Sequence, residues 1–388
     1  MAPPRILQLD EVAERARAVG IRRIHVLGWR DLADPEAGGS ELHLDEVASR
    51  WAAAGFDITI RTSFAQGATR HERRNGYSVD RMGGRMTVFP RAVAAELAGL
   101  NGTRDALVEI WNGVPWFSPI WARGPKVVWL HHVHGAMWPL VLTPGLARAG
   151  RFIEARVAPR WYRSSRIITL AETSRRELID QLGFPEDRVA VVPPGIDRRF
   201  SPGDERSPTP LVVAVGRLVP VKRFELLIAA MSEVRRHVPD ARLVVVGEGY
   251  EREGLEQLVR SLGAAEWVRL AGHVSADELL ALYRQAWIVA SASLAEGWGM
   301  TLTEAAACGT PAVVTDIVGH RDAVEHDRSG LVVKVAGLSE ALMRVLSDEG
   351  LRRRLGDGAL ARAAELTWEA TAARTLDLLV EEAHRCRR

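Results

Sequence analysis

The sequence predicts two doubly wound α/β domains, each with a mostly parallel sheet between layers of helices. The chain has 388 residues, which is long for one domain and suits two. Short apolar runs alternate with longer amphipathic patterns, as expected of βαβ units. A polar stretch with three prolines, residues 201–210, separates two series of such runs and has the composition of a linker.

The apolar runs give the predicted strands in order. In the first domain they are residues 24–27, 58–60, 87–89, 107–110, 127–130, 166–170 and 189–192. In the second they are residues 211–215, 243–246, 268–270, 288–290, 312–314 and 331–333. We therefore place the first domain at residues 1–205 and the second at residues 206–367. Ligands of such sheets bind beyond the carboxyl ends of the strands, so the polar residues that follow each strand are the candidates for a site.

Composition excludes several classes of protein. Hydrophobic residues make up 47% and charged residues 26%, the balance of a globular chain. Lys and Arg total 51 against 49 Asp and Glu, so no global basic field favours nucleic acid. We expect a cytoplasmic protein, because only Cys308 and Cys386 occur and no leader segment is recognisable. No apolar run reaches the roughly 20 residues that cross a bilayer.

The motif from Glu296 to Glu304 places two carboxylates around one predicted helix start, after the strand that ends near residue 290. Glycines such as Gly299 allow close approach of a ligand, and the amides from Met300 and Thr301 onward can meet a phosphate. A carboxylate accepts hydrogen bonds from two vicinal hydroxyls, which suits a ribose. The alternative is a capped helix with two solvated glutamates.

Two cations, Arg217 and Lys222, follow the first strand of the second domain. A leaving diphosphate gains negative charge, which a guanidinium and an ammonium can neutralise without a metal. The alternative is a pair of surface charges at a helix start, although cations there oppose the helix dipole. No Asp-X-Asp pair occurs, so we expect neither a metal nor another cofactor.

Two further features follow strands of the first domain. Gly38 and Gly39 lie in a loop after the first strand and could admit a phosphate or sugar, although glycines before a helix often serve backbone geometry alone. His131, His132 and His134 follow the strand at 127–130. A neutral imidazole there can bond a sugar hydroxyl; a core histidine and, with lower odds, a zinc site are the alternatives.

The stretch 146–166 is basic and amphipathic. Arg148, Arg151, Arg156, Arg160, Arg163 and Arg166 recur at helical spacing. Such a face can contact anionic lipid or a lipid-linked acceptor, but solvated basic faces are commoner. We therefore predict peripheral membrane contact, and the alternative is a basic helix face that is only solvated.

Taken together, these motifs resemble glycosyltransferase family 4, whose GT-B fold has two facing Rossmann-like domains around a central cleft. Glu296 to Glu304 resembles its Glu-x7-Glu motif, Arg217 and Lys222 its diphosphate pair, and the Gly38–Gly39 loop its amino-terminal loop. Two departures are Arg223, where many relatives have Gly, and the rich histidine cluster, which leaves His131 or His134 open as the sugar-facing residue.

The resemblance implies roles for these residues. Glu304 would bind the donor ribose, Glu296 would contact the transferred sugar, and His131 would stand beside it. Backbone around Gly272, His273 and Val274 would line the base pocket, and the helix at 368–388 would pack back on the first domain. The predicted catalytic residues are His131, Glu296, Arg217 and Lys222. The predicted donor-binding residues are Gly38, Gly39, Arg217, Lys222, His273, Val274, Glu296, Gly299, Met300, Thr301 and Glu304.

The function that we predict is retaining, metal-independent transfer of a hexosyl group, mannose or glucose, from a nucleotide-diphosphate sugar to a hydroxyl acceptor. The acceptor is a glycan, a lipid-linked sugar or a small molecule. One alternative is a catalytically silent binding or scaffold protein of the same fold. A dinucleotide oxidoreductase is disfavoured, because no Gly-x-Gly-x-x-Gly follows the first strand of either domain.

Overall fold

The computed structural model describes residues 7–100, 102–204 and 206–388, and the chain divides into two compact units. The first unit runs up to Gly195 and includes Thr367–Arg388, and the second is Ile196–Leu366. The division therefore falls at Gly195 and not near residue 205. The polar stretch belongs to the second unit because it bonds there. The Ser201 carbonyl accepts from Arg284 at 2.9 Å, and Arg206 donates to the Gly309 carbonyl at 2.7 Å.

The first unit contains an eight-stranded sheet. Its strands are β1 (Arg23–Leu27), β2 (Asp57–Thr62), β3 (His71–Arg74), β4 (Tyr77–Arg81), β5 (Ala106–Ile110), β6 (Lys126–Trp129), β7 (Arg166–Thr169) and β8 (Val189–Val191). They are ordered β3-β4-β2-β1-β5-β6-β7-β8, and every pair is parallel except β3 with β4. The inner strands are buried along their length, as expected of a parallel sheet that helices cover on both faces.

The helices of the first unit connect these strands. They are α1 (Leu9–Ala18), α2 (Gly39–Ala53), α3 (Val88–Leu97), α4 (Ser118–Trp121), α5 (Trp138–Val141), α6 (Pro144–Phe152), α7 (Ala158–Tyr162) and α8 (Glu172–Leu182). The C-terminal helix (Trp368–Cys386) also belongs to this unit. It packs against α1 and α2, and the Trp51 indole donates to the Ala372 carbonyl at 3.0 Å. Its apolar face is therefore part of the core of the first unit.

The strand predicted at residues 87–89 is wrong, because α3 begins at Val88. The buried residues Val88, Ala92 and Ala95 recur at helical spacing, and Pro90 sits in the first turn, where its missing N–H has no helical partner. The hairpin of β3 and β4 was not predicted from the sequence. Asn75 and Gly76 form its turn with φ of 47° and 87°, the left-handed pair that a two-residue hairpin favours.

The second unit contains a six-stranded, fully parallel sheet. Its strands are β9 (Leu211–Val215), β10 (Arg242–Val246), β11 (Val268–Gly272), β12 (Ile288–Ser291), β13 (Ala312–Thr315) and β14 (Gly330–Val333), ordered β11-β10-β9-β12-β13-β14. Its helices are α9 (Phe224–Val234), α10 (Arg252–Ser261), α11 (Ala276–Gln285), α12 (Met300–Ala307), α13 (His320–Ala323), α14 (Leu338–Ser347) and α15 (Glu349–Ala363). All the strands predicted here are present.

In the described part of the chain, no helix combines the length and the apolar character that crossing a membrane requires.

Candidate active site

The loops after β9 and β12 lie side by side in the second unit, because these two strands are neighbours in the sheet. The chain leaves β9 towards β10 on one side and leaves β12 towards β13 on the other, so the strand order reverses here. Ligands of doubly wound sheets bind at such a point. The β9 loop carries Arg217 and Lys222, and the β12 loop carries Glu296.

Lys222 and Glu296 form an ion pair across these loops. The two side chains are only 22% and 17% exposed, and the Ser293 hydroxyl donates to the same carboxylate oxygen at 2.8 Å. Burial favours the neutral acid, but the charge of Lys222 outweighs it with help from His320, so the pKa of Glu296 lies below its ordinary value. Glu296 is therefore a carboxylate held against an ammonium.

Arg223 fastens the β12 loop to the β9 loop. Its guanidinium donates to the carbonyls of Ala292 and Ser293, each at 2.7 Å. The Leu294 amide also donates to the Val221 carbonyl at 2.8 Å. The backbone of Arg223 has φ of 50°, a left-handed conformation that is uncommon for a side chain of this size. The bonds to two successive carbonyls explain why an arginine occupies a position that glycine would adopt without strain.

Two glycines allow the backbone around Glu296 to pack closely. Gly319 has φ of 87°, and a Cβ there would lie 2.5 Å from the Glu296 carbonyl oxygen. Gly299 has φ of 103° and precedes Met300, the first residue of α12. A side chain at either glycine would displace the loop or the helix start. The positions of the Glu296 loop and of the start of α12, with Met300 and Thr301, therefore depend on these two glycines.

Glu304 lies one turn into α12 in a different environment. Its carboxylate accepts from the Tyr283 hydroxyl at 2.9 Å. Burial raises the pKa of Glu304 to about 7; the Tyr283 bond opposes this shift, and the negative charge of Asp197 adds to it. The second oxygen of the carboxylate has no hydrogen bond within the described ranges. Glu304 can therefore titrate near neutral pH and can accept bonds from a ligand.

The other predicted donor-binding residues of the second unit lie on loops at the same edge of the sheet. Arg217 is exposed and follows Gly216, whose Cα lies against Lys222: a Cβ there would be 3.2 Å from the Lys222 Cε. His273 is exposed and Val274 half-buried after β11. Lys222 and Glu296 are joined directly, whereas among the described residues no hydrogen bond or ion pair links His273 or Val274 to either of them.

In the first unit, Gly38 and Gly39 form the start of α2 after β1. Gly38 is the N-cap, and its amide donates to Glu41 at 2.7 Å. The other oxygen of Glu41 lies 3.4 Å from the buried Arg30, which also reaches Glu36 at 3.2 Å. This buried ion network fixes the glycine loop at the point where the first sheet reverses its strand order, between β1 and β5.

His131 is buried directly after β6 and pairs with His43 of α2. The His131 Nε2 lies 3.2 Å from the His43 Nδ1, and the His43 ring stacks on Trp129 at 4.4 Å between centroids. Burial lowers the pKa of His43 to about 3. Burial, with His43 and His132 adding to it, also holds the pKa of His131 well below its ordinary value. Both imidazoles are therefore neutral at physiological pH.

His134 lies in a different environment from His131. Its backbone amide donates to the buried Glu154 at 2.7 Å, and its ring stacks on His132 at 4.5 Å. Burial, then His132, lowers its pKa well below the ordinary value. His131 thus contacts the helix of the glycine loop, whereas His134 contacts the segment that holds Glu154. Among the residues that the structure describes, no group of three or more His, Cys, Asp and Glu is arranged to hold a metal ion.

His43, Tyr283 and the bonds of Arg223 were not predicted from the sequence. Each acts on a predicted site residue through space, from an element distant in sequence: His43 and His131 are 88 positions apart, and Tyr283 and Glu304 are 21 apart. A helix-forming pattern gives no sign of which residue its inner face presents to a neighbouring strand end. Only Arg223 left a signal, as a bulky residue directly after Lys222.

Comparison with known families accounts for most of the chain. Residues 37–200 match the family model described as Glycosyltransferase Family 4, and residues 196–362 match Glycosyl transferases group 1. The chain is 28% identical to a D-inositol 3-phosphate glycosyltransferase of Streptomyces bingchenggensis over 420 residues, which covers 96% of this chain and 91% of the relative. It is 37% identical to the protein of that name from Frankia alni over 232 residues, 54% and 57% of the two chains.

Solved structures share the fold. Sucrose-phosphate synthase from Thermosynechococcus elongatus superposes with a TM-score of 0.78 at 20% identity, covering 91% of this chain and 97% of that one. Anabaena Alr3699/HepE in complex with UDP-glucose superposes with a TM-score of 0.71 at 19% identity, covering 91% and 98%. At these identities the likeness concerns the fold alone.

Proposed function

Because the chain belongs to glycosyltransferase family 4 and is a glycosyltransferase of the GT-B fold, we propose that it transfers a hexosyl group from a nucleotide-diphosphate sugar with retention and without a metal. The second unit, Ile196–Leu366, binds the donor, and the first unit binds the acceptor. The observation that carries the proposal is the half-buried ion pair of Lys222 and Glu296 at the reversal point of the second sheet.

The chemistry follows from the charges at that point. Breaking the glycosidic bond leaves negative charge on the diphosphate, and fixed cations stabilise that charge without reorganising. Lys222 supplies a half-buried ammonium and Arg217 an exposed guanidinium on the same loop. Glu296 keeps Lys222 in place in the free enzyme. When the donor is bound, its carboxylate accepts hydrogen bonds from hydroxyls of the transferred sugar. The phosphate oxygen that leaves takes the proton of the acceptor, so the new bond forms on the face from which the old one departs.

Glu304 holds the ribose in this proposal. Its carboxylate has one oxygen bonded by Tyr283, which leaves the other for ribose hydroxyls. The amides at the start of α12, from Met300 and Thr301, face the diphosphate with the positive end of the helix dipole. Backbone around His273 and Val274 lines the base. In the first unit, we assign the Gly39 amide to a hydrogen bond with the phosphate and neutral His131 to a hydrogen bond with the sugar.

The relatives suggest which ligands to test. Anabaena Alr3699/HepE, which shares the fold, has been solved with UDP and with UDP-glucose, and the relatives from Streptomyces and Frankia are D-inositol 3-phosphate glycosyltransferases. We therefore propose a UDP-hexose as the first donor to test and an inositol phosphate as the first acceptor, with mannosyl and glucosyl donors of other bases as alternatives. We also place the protein in the cytoplasm, since Cys308 and Cys386 are free thiols.

The test has two steps. The full chain is first melted with a panel of nucleotide sugars, since a ligand at 100 times its dissociation constant adds about 2.7 kcal/mol of stability. The donor that stabilises the protein is then incubated with acceptors in EDTA, and the anomeric configuration of the product is read by NMR. Transfer that survives EDTA and keeps the donor configuration supports the proposal. Inversion, or activity that EDTA abolishes, overturns it.

A further inference from the structure

A basic surface covers the outer side of the helix formed by α6, a π-helical turn (Ile153–Val157) and α7. We call it the arginine face and define it by its exposed residues: Leu146, Arg148, Arg151, Phe152, Arg156, Arg160, Trp161 and Arg163. Arg148, Phe152, Arg156 and Arg160 recur every four residues, so they line one side of the helix. The opposite side is buried through Ala147, Glu154 and Ala158.

The charges of this face are not neutralised by the chain. Within the described ranges, its five arginines form no ion pair. The carboxylate inside the segment, Glu154, is 1% exposed and accepts instead from the amides of His134 and Gly135 at 2.7 and 2.9 Å. Arg166, just beyond the face, does pair, with Glu381 at 3.1 Å. The whole chain has a net charge of only +2, so this surface concentrates positive charge locally.

Large apolar side chains lie among the arginines. Leu146 is 59% exposed, Phe152 61% and Trp161 52%. A solvated basic helix does not need them, and each costs free energy in water. An amphipathic helix that lies in the interface of a bilayer has this composition, because its aromatic and aliphatic side chains enter the boundary of the acyl chains while its cations meet headgroups.

We propose that the arginine face docks on an anionic lipid bilayer and holds the first unit at its surface. Charge complementarity commits the face to an anionic partner, and the exposed Leu146, Phe152 and Trp161 favour a partner with an apolar layer over a soluble polyanion. Docking orients the first unit, so acceptors that are anchored in the bilayer come within reach of it. The proposal does not depend on which sugar the protein transfers.

The test measures sedimentation of the full chain with vesicles of phosphatidylcholine alone and of phosphatidylcholine with about 30% phosphatidylglycerol, an anionic lipid. Binding should occur with the anionic vesicles, weaken with added salt, and fall about tenfold or more in R156E/R160E, because each cation near such a surface adds to the attraction. Phe152→Ala/Trp161→Ala should also weaken binding, by severalfold, and this loss should persist at high salt.

A matched control is R353E/R354E, which makes the same change in charge on exposed residues of α15. It should bind as the unaltered protein does, and all variants should keep their melting temperature. Three results would overturn the proposal: equal sedimentation with neutral vesicles, an equal loss in the control variant, or binding that heparin competes away while Phe152→Ala/Trp161→Ala binds normally. The last result would assign the face to a soluble polyanion. None of these readouts involves a nucleotide sugar, so they are separate from the test of glycosyl transfer.

Discussion

Glu296 and Glu304 are the same residue type in one short motif, yet their surroundings drive their pKa values in opposite directions. Glu296 precedes α12 and meets the ammonium of Lys222, which holds its pKa below the ordinary value against the effect of burial. Glu304 lies inside α12 with a neutral phenol as its partner, and burial raises its pKa to about 7. Glu296 is therefore charged at neutral pH, whereas Glu304 can change its charge there.

The comparison shows how one motif can serve two tasks. A charged Glu296 that is bound to Lys222 keeps the cation in position before the diphosphate arrives, so little reorganisation is needed later. Glu304 forms no ion pair within the described ranges, so no ion pair has to break when a ligand binds; its second oxygen is available to hydroxyls. Substitutions and pH changes that act on one glutamate at a time can test this division.

Lys222→Ala should lower kcat by about 100-fold or more, because it removes a fixed cation from the developing charge and leaves Glu296 buried without its partner. The measurement is steady-state turnover of the donor. Lys334→Ala, which removes an exposed lysine after β14, is the control and should leave kcat unchanged. Near-normal turnover in Lys222→Ala would remove Lys222 from the mechanism.

Arg223→Gly should lower kcat by about tenfold while the melting temperature stays near that of the unaltered protein, since small misplacements of reacting groups are costly. Glycine accepts the left-handed backbone of this position, but the bonds to the Ala292 and Ser293 carbonyls are lost and the Glu296 loop is less well fixed. Added guanidinium ion should restore part of the activity. A kcat equal to that of the unaltered protein would show that the loop holds its position without Arg223.

Donor binding should strengthen about tenfold between pH 6 and pH 8. With a pKa of about 7, the ionised fraction of Glu304 rises from about one tenth to about nine tenths over this range. The dissociation constant of the nucleotide sugar is measured by calorimetry. The nucleotide sugar is used and not the free nucleoside diphosphate, because a terminal phosphate monoester itself titrates near pH 6. In Glu304→Gln the dependence on pH should disappear. A flat profile in the unaltered protein would contradict the assignment of the ribose to Glu304.

Tyr283→Phe should weaken binding of the nucleotide sugar at pH 7 by about two- to tenfold, the range expected for loss of one hydrogen bond. Without the phenol the pKa of Glu304 rises further, so the difference should shrink at pH 9. Tyr162→Phe is the matched control, because Tyr162 is a buried phenol that donates to the buried Glu109 of the first unit. Equal losses in both variants would mean that the effect is structural.

The two glutamates should also affect stability with opposite signs. Folding raises the pKa of Glu304, so its ionisation costs stability as pH rises from about 4.5 through 7, and Glu304→Gln should melt higher than the unaltered protein at pH 8.5 but not at pH 4.5. Folding lowers the pKa of Glu296, whose contribution is present above its unfolded pKa, so Glu296→Gln should melt lower at pH 8.5. Shifts of about 2–4 °C per kcal/mol are expected. Shifts of the same sign would refute the comparison.

Much of this site could be predicted from sequence because its signals are local. The alternation of apolar runs and helical patterns gave every strand of the second unit, and residues after those strands had to lie at one edge of the sheet. In the first unit, residues 87–89 were predicted as a strand but lie at the start of a helix, because a short apolar run fits a strand and a helix equally well. The burial of Val88, Ala92 and Ala95 at helical spacing distinguishes the helix from the strand.

The order of residues along the chain was enough to show which charged and glycine residues follow which strands, and hence the motif and the family. The tertiary structure decided what those residues are: that Lys222 meets Glu296 across 74 positions, that Arg223 fastens their loops, and that Glu304 faces Tyr283 in a buried setting. The physical reason is that spacing along the chain fixes only neighbours within an element. Charge state depends on burial and on partners that other elements bring through space.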